Sequence, residues 1–399
     1  MAETFPTVLP AADWTRNEYL LSLAETLGPD NIRWVGGAVR DTLSGIVVKD
    51  VDAATPLLPD TVIGKCREAG IRTVPTGIEH GTVTAIFPGL PVEITTLRRD
   101  VATDGRRATV AFASDWREDA ARRDFTINAL YAHPHTLAIS DYFGGLEDLA
   151  AERVRFIGDA RQRIAEDHLR ILRYFRFRAR YGGWETADEE TEAAIAEMAP
   201  TLKGLSRERI AMELLAILAL PDPFATVCKM RELGVLSIIL PEAGKREFGV
   251  LERLVKTERA NDVAPSDIRR LAALLPPIPS VAESVAARLR LSKAQRARLS
   301  TAAARRPDDA ARARGLAFEE GVEEATDRLL LEGASLAPLV DWDVPLFPLK
   351  GGEIIARGVA PGPGVARLMQ TLKEEWIAAG FPEKGDVIAM LDRHLAKDD

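Results

Sequence analysis

Cysteine is scarce in this 399-residue chain, which holds only Cys66 and Cys228. Two thiols this far apart follow no ligand spacing and read as buried side chains in a reducing compartment. The five histidines are scattered, with no His-Asp metal pattern among them. No uninterrupted apolar run reaches the ~18 residues of a membrane-spanning helix, so no membrane is expected. The opening MAETFPTVLP is acidic and lacks the apolar core of a secretory signal, which makes the cytoplasm the expected compartment. Internal repeats are absent, and only the Ala/Arg-rich STAAARRPDDAARARG approaches low complexity.

Positive charge is also in deficit, since the net charge is −8. The deficit is uneven, and binding follows local field more than totals. Nine arginines stand between Arg153 and Arg180 against Asp159, Glu166 and Asp167. Eight more and Lys293 lie between Arg288 and Arg314 against Asp308 and Asp309. Two basic stretches in an acidic chain point to a polyanionic partner, although a charge run is also the ordinary form of a solvated face.

The first third alternates short β-rich runs (IRWVGG, DVDAAT, IRTVPTG, TVTAIFPG, VEITTL, ATVAFAS, LAISDYFGG) with glycine, proline and helix-like pieces. Beyond Glu152 apolar residues recur at three and four, as in RERIAMELLAIL, with almost no strand signal. The fold class expected is therefore α+β: a mixed head over 1–150, then helical regions over 151–220 and 221–399. Proline-rich breaks at 221–223, 276–279 and 358–364 are the expected joints.

The chemistry is expected at KDVDAAT. In a strand, residues two apart face one way, so Asp50 and Asp52 project together. Two bare carboxylates there repel. A divalent cation removes the conflict, because Mg²⁺ accepts one or two carboxylates together with phosphate oxygens and water. On their own the two acids also suit a polar strand face meeting solvent. Ten residues upstream, WVGGAVRD offers a Gly-Gly turn at a helix start, where backbone N–H groups approach a phosphate and Arg40 adds a charged donor.

The ordered set VGGAVRDTLSG…KDVDAAT, RRDFTINALY, DYFGGLEDL and EDHLRILRYFRF resembles the class II CCA-adding tRNA nucleotidyltransferases and bacterial poly(A) polymerases over about residues 30–215. The resemblance implies a polymerase-β-like nucleotidyltransferase head followed by an all-helical neck, body and tail. It implies Mg²⁺ on Asp50 and Asp52, the triphosphate against Gly37 and Arg40, and nucleotide contacts from Arg123, with Asp124 toward the ribose. Glu93, in PVEITTLR, is a candidate third carboxylate. Asp167, Arg170, Arg173 and Arg176 are expected on one face of an arginine-rich helix. There a carboxylate accepts from the amino group of C or A while a guanidinium donates to the ring nitrogen. G and U reverse both partners and leave polar groups unpaired. Three arginines sharing Asp167 leave two unbalanced, which calls for an anion.

The segment Thr95–Phe112, with its Asp104-Gly105 turn, resembles the flexible loop that CCA-adding enzymes need to switch from C to A. Glu208 and Glu213 are expected to brace neighbouring loops. The stretch Leu289–Leu299 and the glycines of Gly358–Met369 are candidate tRNA contacts. His168 is expected as a buried spacer within the arginine helix. The phosphohydrolase domain fused to some relatives is not expected. The activity implied is template-independent addition of C, C and A to the 3′ end of tRNA from CTP and ATP, with no obligate protein partner. A bacterial poly(A) polymerase, or an RNA-binding protein with an inactive head, are the alternatives.

Overall fold

The computed structural model describes residues 6–103, 108–186 and 188–396. The chain divides into two compact units, Met1–Pro241 and Glu242–Asp399. This division falls beyond the joint read at 221–223, because Phe224–Glu232 packs on the neck helix Arg170–Tyr181, and Val235–Ile239 packs on the turn Ala199–Gly204.

Among the described residues the head has nine strands: β1 Arg33–Val35, β2 Val51–Thr55, β3 Arg72–Gly77, β4 Thr82–Phe87, β5 Leu90–Thr96, β6 Arg98–Thr103, β7 Ala108–Phe112, β8 Leu130–Ala132 and β9 Ile139–Asp141. Seven form one sheet in the order β3-β4-β5-β2-β1-β8-β9, and β6 and β7 pair as a separate hairpin. Within the large sheet β2 and β5 run parallel and the other neighbours antiparallel. The Asp104-Gly105 turn read from the sequence lies outside the described residues.

Helices α1 Glu18–Leu27, α2 Gly37–Leu43, α3 Pro59–Glu68, α4 Trp116–Ala121 and α5 Gly145–Ala150 belong to the head. In α1 the buried Leu20, Leu23, Ala24 and Leu27 recur at three and four, which makes one apolar face; each leucine so buried contributes about 2 kcal/mol. The Asn17 side chain caps this helix by accepting from the amides of Tyr19 and Leu20.

The start of α5 fixes the RRDFTIN segment. Asp141 accepts from the amides of Phe143, Gly144, Gly145 and Leu146, all at 2.9–3.1 Å. A Cβ on Gly145 would lie 2.3 Å from the Thr126 carbonyl oxygen, so only glycine allows this approach. Phe125, Ile127 and Leu130 are fully buried. Phe125 packs on Phe156 and Phe177 with ring centroids 4.8 and 5.2 Å apart, which ties the segment to the helices that follow.

Those are α6 Ala160–Glu166, α7 Arg170–Tyr181, α8 Glu189–Met198, α9 Arg207–Leu218, α10 Phe224–Glu232 and α11 Val235–Ile239. The arginine-rich stretch is not one helix. The chain breaks at Asp167, which is extended (φ −150°, ψ 105°), and α7 starts at Arg170. The reason is local: the Asp167 side chain accepts from the Leu169 amide at 3.1 Å, in competition with helix continuation. His168 therefore lies in the turn and not inside the helix.

The second unit is helical: α12 Lys245–Ala260, α13 Asp267–Ala273, α14 Pro279–Arg288, α15 Lys293–Ala303, α16 Ala313–Glu320, α17 Val322–Glu332, α18 Gly351–Ile355, α19 Pro363–Ala378 and α20 Lys384–Leu395. Its buried charges are paired. Glu258 meets Arg269 and Arg270 at 2.6 and 2.8 Å, and Asp327 meets Arg269 at 3.0 Å and Arg298 at 2.6 Å. The second basic stretch is also largely neutralised. Arg288 pairs with Glu242, Arg298 with Asp327 and Glu323, Arg305 with Glu332, and Arg312 with Glu319. These acids come from elsewhere in the chain, which the local charge balance cannot reveal. A separate apolar cluster at the end of this unit joins Leu349, Ile354, Leu372, Trp376, Val387 and Leu391. Among the described residues no helix is long and apolar enough to cross a membrane.

Candidate active site

Strand β2 lies in the sheet between β1 and β5, with Asp52 opposite Val35 on one side and Glu93 on the other. Cross-strand neighbours share a face, so Asp52 and Glu93 project together. Asp50 stands one residue before β2. Burial, then the charge of Glu93 and that of Asp50, push the Asp52 carboxyl above the usual range, and only Arg123 opposes the rise. No ion pair among the described residues involves Asp50, Asp52 or Glu93. A cleft of about 210 Å³ opens here, lined by Asp52, Glu93, Thr95, Arg98, Arg122 and Arg123. The larger hollow, about 700 Å³, lies in the second unit between α16 and α19, and its Arg312 is already taken by Glu319.

Among the described residues no three His, Cys, Asp or Glu side chains are grouped so that they could hold a metal ion together. The acids of β2 and β5 form instead an open set of hard oxygen donors in surplus negative charge. That fits a cation that keeps water and phosphate oxygens in its coordination shell.

The Gly-Gly turn follows β1. Gly36 has φ +66° and ψ −114°, a conformation L side chains avoid, and its N–H donates to the Leu130 carbonyl at 3.1 Å. A Cβ on Gly36 would stand 3.5 Å from Nη1 of Arg123, and one on Gly37 would stand 3.8 Å from Nη2 of Arg40. Both arginines thus flank the turn, but differently. Arg40 is only 7% exposed. Its Nε and Nη2 donate to Asp41 at 2.9 and 2.7 Å, its Nη1 to the Asn128 side chain, and it lies over the ring of Tyr181 at 4.2 Å. Arg40 is therefore a charge behind the turn rather than an outstretched donor.

Arg123 lines the cleft and is held from below. Its Nε donates to the Tyr131 hydroxyl at 3.1 Å, its Nη2 to Asp119 at 3.3 Å, and Tyr131 donates to Asp119 at 2.7 Å. Burial alone would raise Asp119, but Arg123 and Arg122 outweigh it and hold the carboxyl below its usual range. Asp119 also accepts from the Arg98 amide, at the base of the β6–β7 hairpin.

Asp124, expected toward the ribose, is engaged by protein groups. It is 8% exposed, and its oxygens accept from Arg173 (2.7 Å), the Asn128 side chain (2.9 Å) and the Phe125 amide (2.9 Å). Burial opposes ionisation, and Arg173 and Asn128 overcome it to depress this carboxyl.

The neck arginines are likewise matched. Arg170 pairs with Glu166 at 2.5 Å and donates to the Arg122 carbonyl at 3.2 Å. Asp167 pairs with Arg209 of α9 at 2.7 Å. Glu213, 8% exposed, takes Arg176 at 2.6 Å and lies 3.9 Å from Arg173. The expectation that two arginines lack a counterion is thus corrected: Asp124 and Glu213 supply the charge. Asp167 and Arg170 do not pair with each other, because each has a different partner. Glu166, the partner of Arg170, and Asp119, the partner of Arg123, stand at helical spacing from those arginines and were findable by that signal. Arg209, 42 residues from Asp167, was not.

The chain matches the family model of the poly A polymerase head domain over residues 32–155. It matches that of the probable RNA and SrmB-binding site of polymerase A over residues 186–245. It is 36% identical to the mouse mitochondrial CCA tRNA nucleotidyltransferase 1, over 94% of this chain and 90% of that protein. A CCA-adding enzyme of Leuconostoc mesenteroides is 43% identical over 45% of this chain and 44% of its own length. In structure it is similar to the Bacillus stearothermophilus CCA-adding enzyme crystallised with CTP, with a TM-score of 0.77, 26% identity, and coverage of 97% of this chain and 99% of that one. With a full-length relative at this identity, and a head and neck built as described, the chain belongs to the class II CCA-adding tRNA nucleotidyltransferases.

Proposed function

We propose that the chain adds C, C and A to the 3′ end of tRNA, using CTP and ATP and releasing pyrophosphate, with the cleft of β2 and β5 as its reaction site. The observation that carries this is the group Asp50, Asp52 and Glu93, three acids on or next to the paired strands β2 and β5, none of them in an ion pair among the described residues. Asp50 and Asp52 would hold Mg²⁺, with water and phosphate oxygens as its other donors and Glu93 beside Asp52 on the next strand. The bound cation supplies the charge that activates the terminal 3′-hydroxyl and steadies the departing pyrophosphate.

The protein's own groups do the rest. The turn at Gly36 and Gly37 lets the backbone come close to the triphosphate, with Arg40 behind it and the Gly36 N–H already given to the Leu130 carbonyl. Arg123, fixed by Tyr131 and Asp119, stands between that turn and the acids. Asp167 and Arg170, at the break between α6 and α7, present an acceptor and a donor to the Watson–Crick edge of C or A. Arg173 and Arg176 continue this edge. The division of labour proposed is head for chemistry, neck for base choice, and the remaining helices for tRNA. The cytoplasm is the proposed compartment, and cell fractionation checks it.

The test is product length and composition on tRNA ending at its discriminator base. CTP alone should give two added residues, and CTP with ATP should give three and then stop. Open-ended extension with ATP alone would make the protein a poly(A) polymerase, and turnover by an Asp52→Ala variant would remove the site from the reaction.

A further inference from the structure

Asn128 lies in the turn Thr126–Asn128, is 6% exposed, and was read from the sequence only as part of a motif. Three of its polar groups reach three parts of the site. The backbone carbonyl accepts from Nη1 of Arg123 at 3.4 Å. The side-chain oxygen accepts from Nη1 of Arg40, and the side-chain N–H donates to Asp124 at 2.9 Å, whose other oxygen holds Arg173. The amide's orientation follows from its partners. A guanidinium requires an acceptor and an ionised carboxylate requires a donor. No acid, hydroxyl or aliphatic side chain offers both at this span.

We infer that Asn128 is a positioning residue that locks the triphosphate side of the site, Gly36–Gly37 with Arg40 and Arg123, to the base-reading side at Arg173. The chain Arg40–Asn128–Asp124–Arg173 crosses from head to neck through hydrogen bonds among buried or half-buried groups. It fixes how far the phosphates stand from the Watson–Crick edge of the same nucleotide. This rests on the nucleotide site proposed above.

A double-mutant cycle tests it, read as kcat/KM for single CTP incorporation by the full-length protein. Arg40 and Arg173 make no contact with each other and, apart from this hydrogen-bond chain, share only the Phe177 ring, over which their guanidiniums lie at 5.0 and 5.3 Å. Lysine at either position keeps a cation there, so the effects of Arg40→Lys and Arg173→Lys would be close to additive unless the hydrogen bonds couple them. With Asn128 in place they should depart from additivity by about fivefold or more, and in the Asn128→Ala background they should combine within about twofold. Asn128→Asp keeps the acceptor for Arg40 but sets a like charge against Asp124. It should raise KM for CTP and ATP alike by about tenfold, more than it lowers kcat. This variant carries the cycle if the alanine variant does not fold. Additivity already present with Asn128 in place, or coupling that persists without it, overturns the assignment. If instead each Arg→Lys change alone leaves the CTP KM unaltered, the nucleotide site itself is refuted and the positioning role falls with it.

Discussion

The acids of the head and the arginines of the neck are opposite cases of charge in one compact unit. Of the nine arginines from Arg153 to Arg180, eight meet a carboxylate, and the ninth, Arg178, is buried with its Nη1 on Thr186. Asp50, Asp52 and Glu93 form no ion pair among the described residues. A paired charge is an architectural part whose position is fixed. An unpaired cluster of one sign stays costly until something arrives, and Asp52 registers that cost in its raised pKa. The difference separates the groups that would bind the cation from those that shape the space around it.

The sharpest way to break this contrast is Asp52→Ala, expected to lower CCA addition about a thousandfold or more, several kcal/mol of lost charge stabilisation, in a radiolabelled incorporation assay. Next is Glu213→Ala, which strips the carboxylate from Arg176 and weakens the hold on Arg173. A loss of about 2 kcal/mol in urea unfolding is expected, less than for breaking a fully buried pair because both arginines are partly exposed. Asp167→Asn replaces an acceptor-only group with one that also donates. Misincorporation of UTP or GTP relative to CTP should rise roughly tenfold, measured in competition.

Asp52→Asn sharpens the same comparison through stability. A carboxyl whose folded pKa is raised favours folding when protonated and opposes it once ionised. The metal-free protein therefore gains stability as pH falls through that raised value. At neutral pH the asparagine variant should melt about 1–3 °C higher than the metal-free parent, and added magnesium should raise only the parent. Asp124 has the opposite sign. Its depressed pKa contributes stability that is complete above the ordinary carboxylate range and lost as pH falls through the folded value. The deficit of an Asp124→Asn variant should accordingly shrink on acidification. Smallest of all, Arg161→Ala, which removes an exposed pair with Glu197, should leave the melting temperature unchanged.

Much of this was legible in the chain. Alternating apolar runs marked β1 to β5, β7 and β9. Strand β8 was hidden inside RRDFTINALY, whose full burial removes any alternation, and β6 inside an arginine-rich run without apolar period. The carboxylates were readable because two acids at strand spacing are a local fact. The ion pairs were not, since Asp124 and Arg173 stand 49 residues apart and Asp167 and Arg209 stand 42 apart. The helix break at Asp167 was misread because helical periodicity carries on unbroken across it, while the side chain that ends α6 acts on its own backbone.

That break has one more consequence. Asp167 is steadied by α9, and Arg170 by the end of α6 and a head carbonyl, so the surface that would tell C and A from G and U is no continuous helix. It is a mould assembled from three stretches of polypeptide, and a peptide copied from residues 160 to 181 would carry its letters without its meaning.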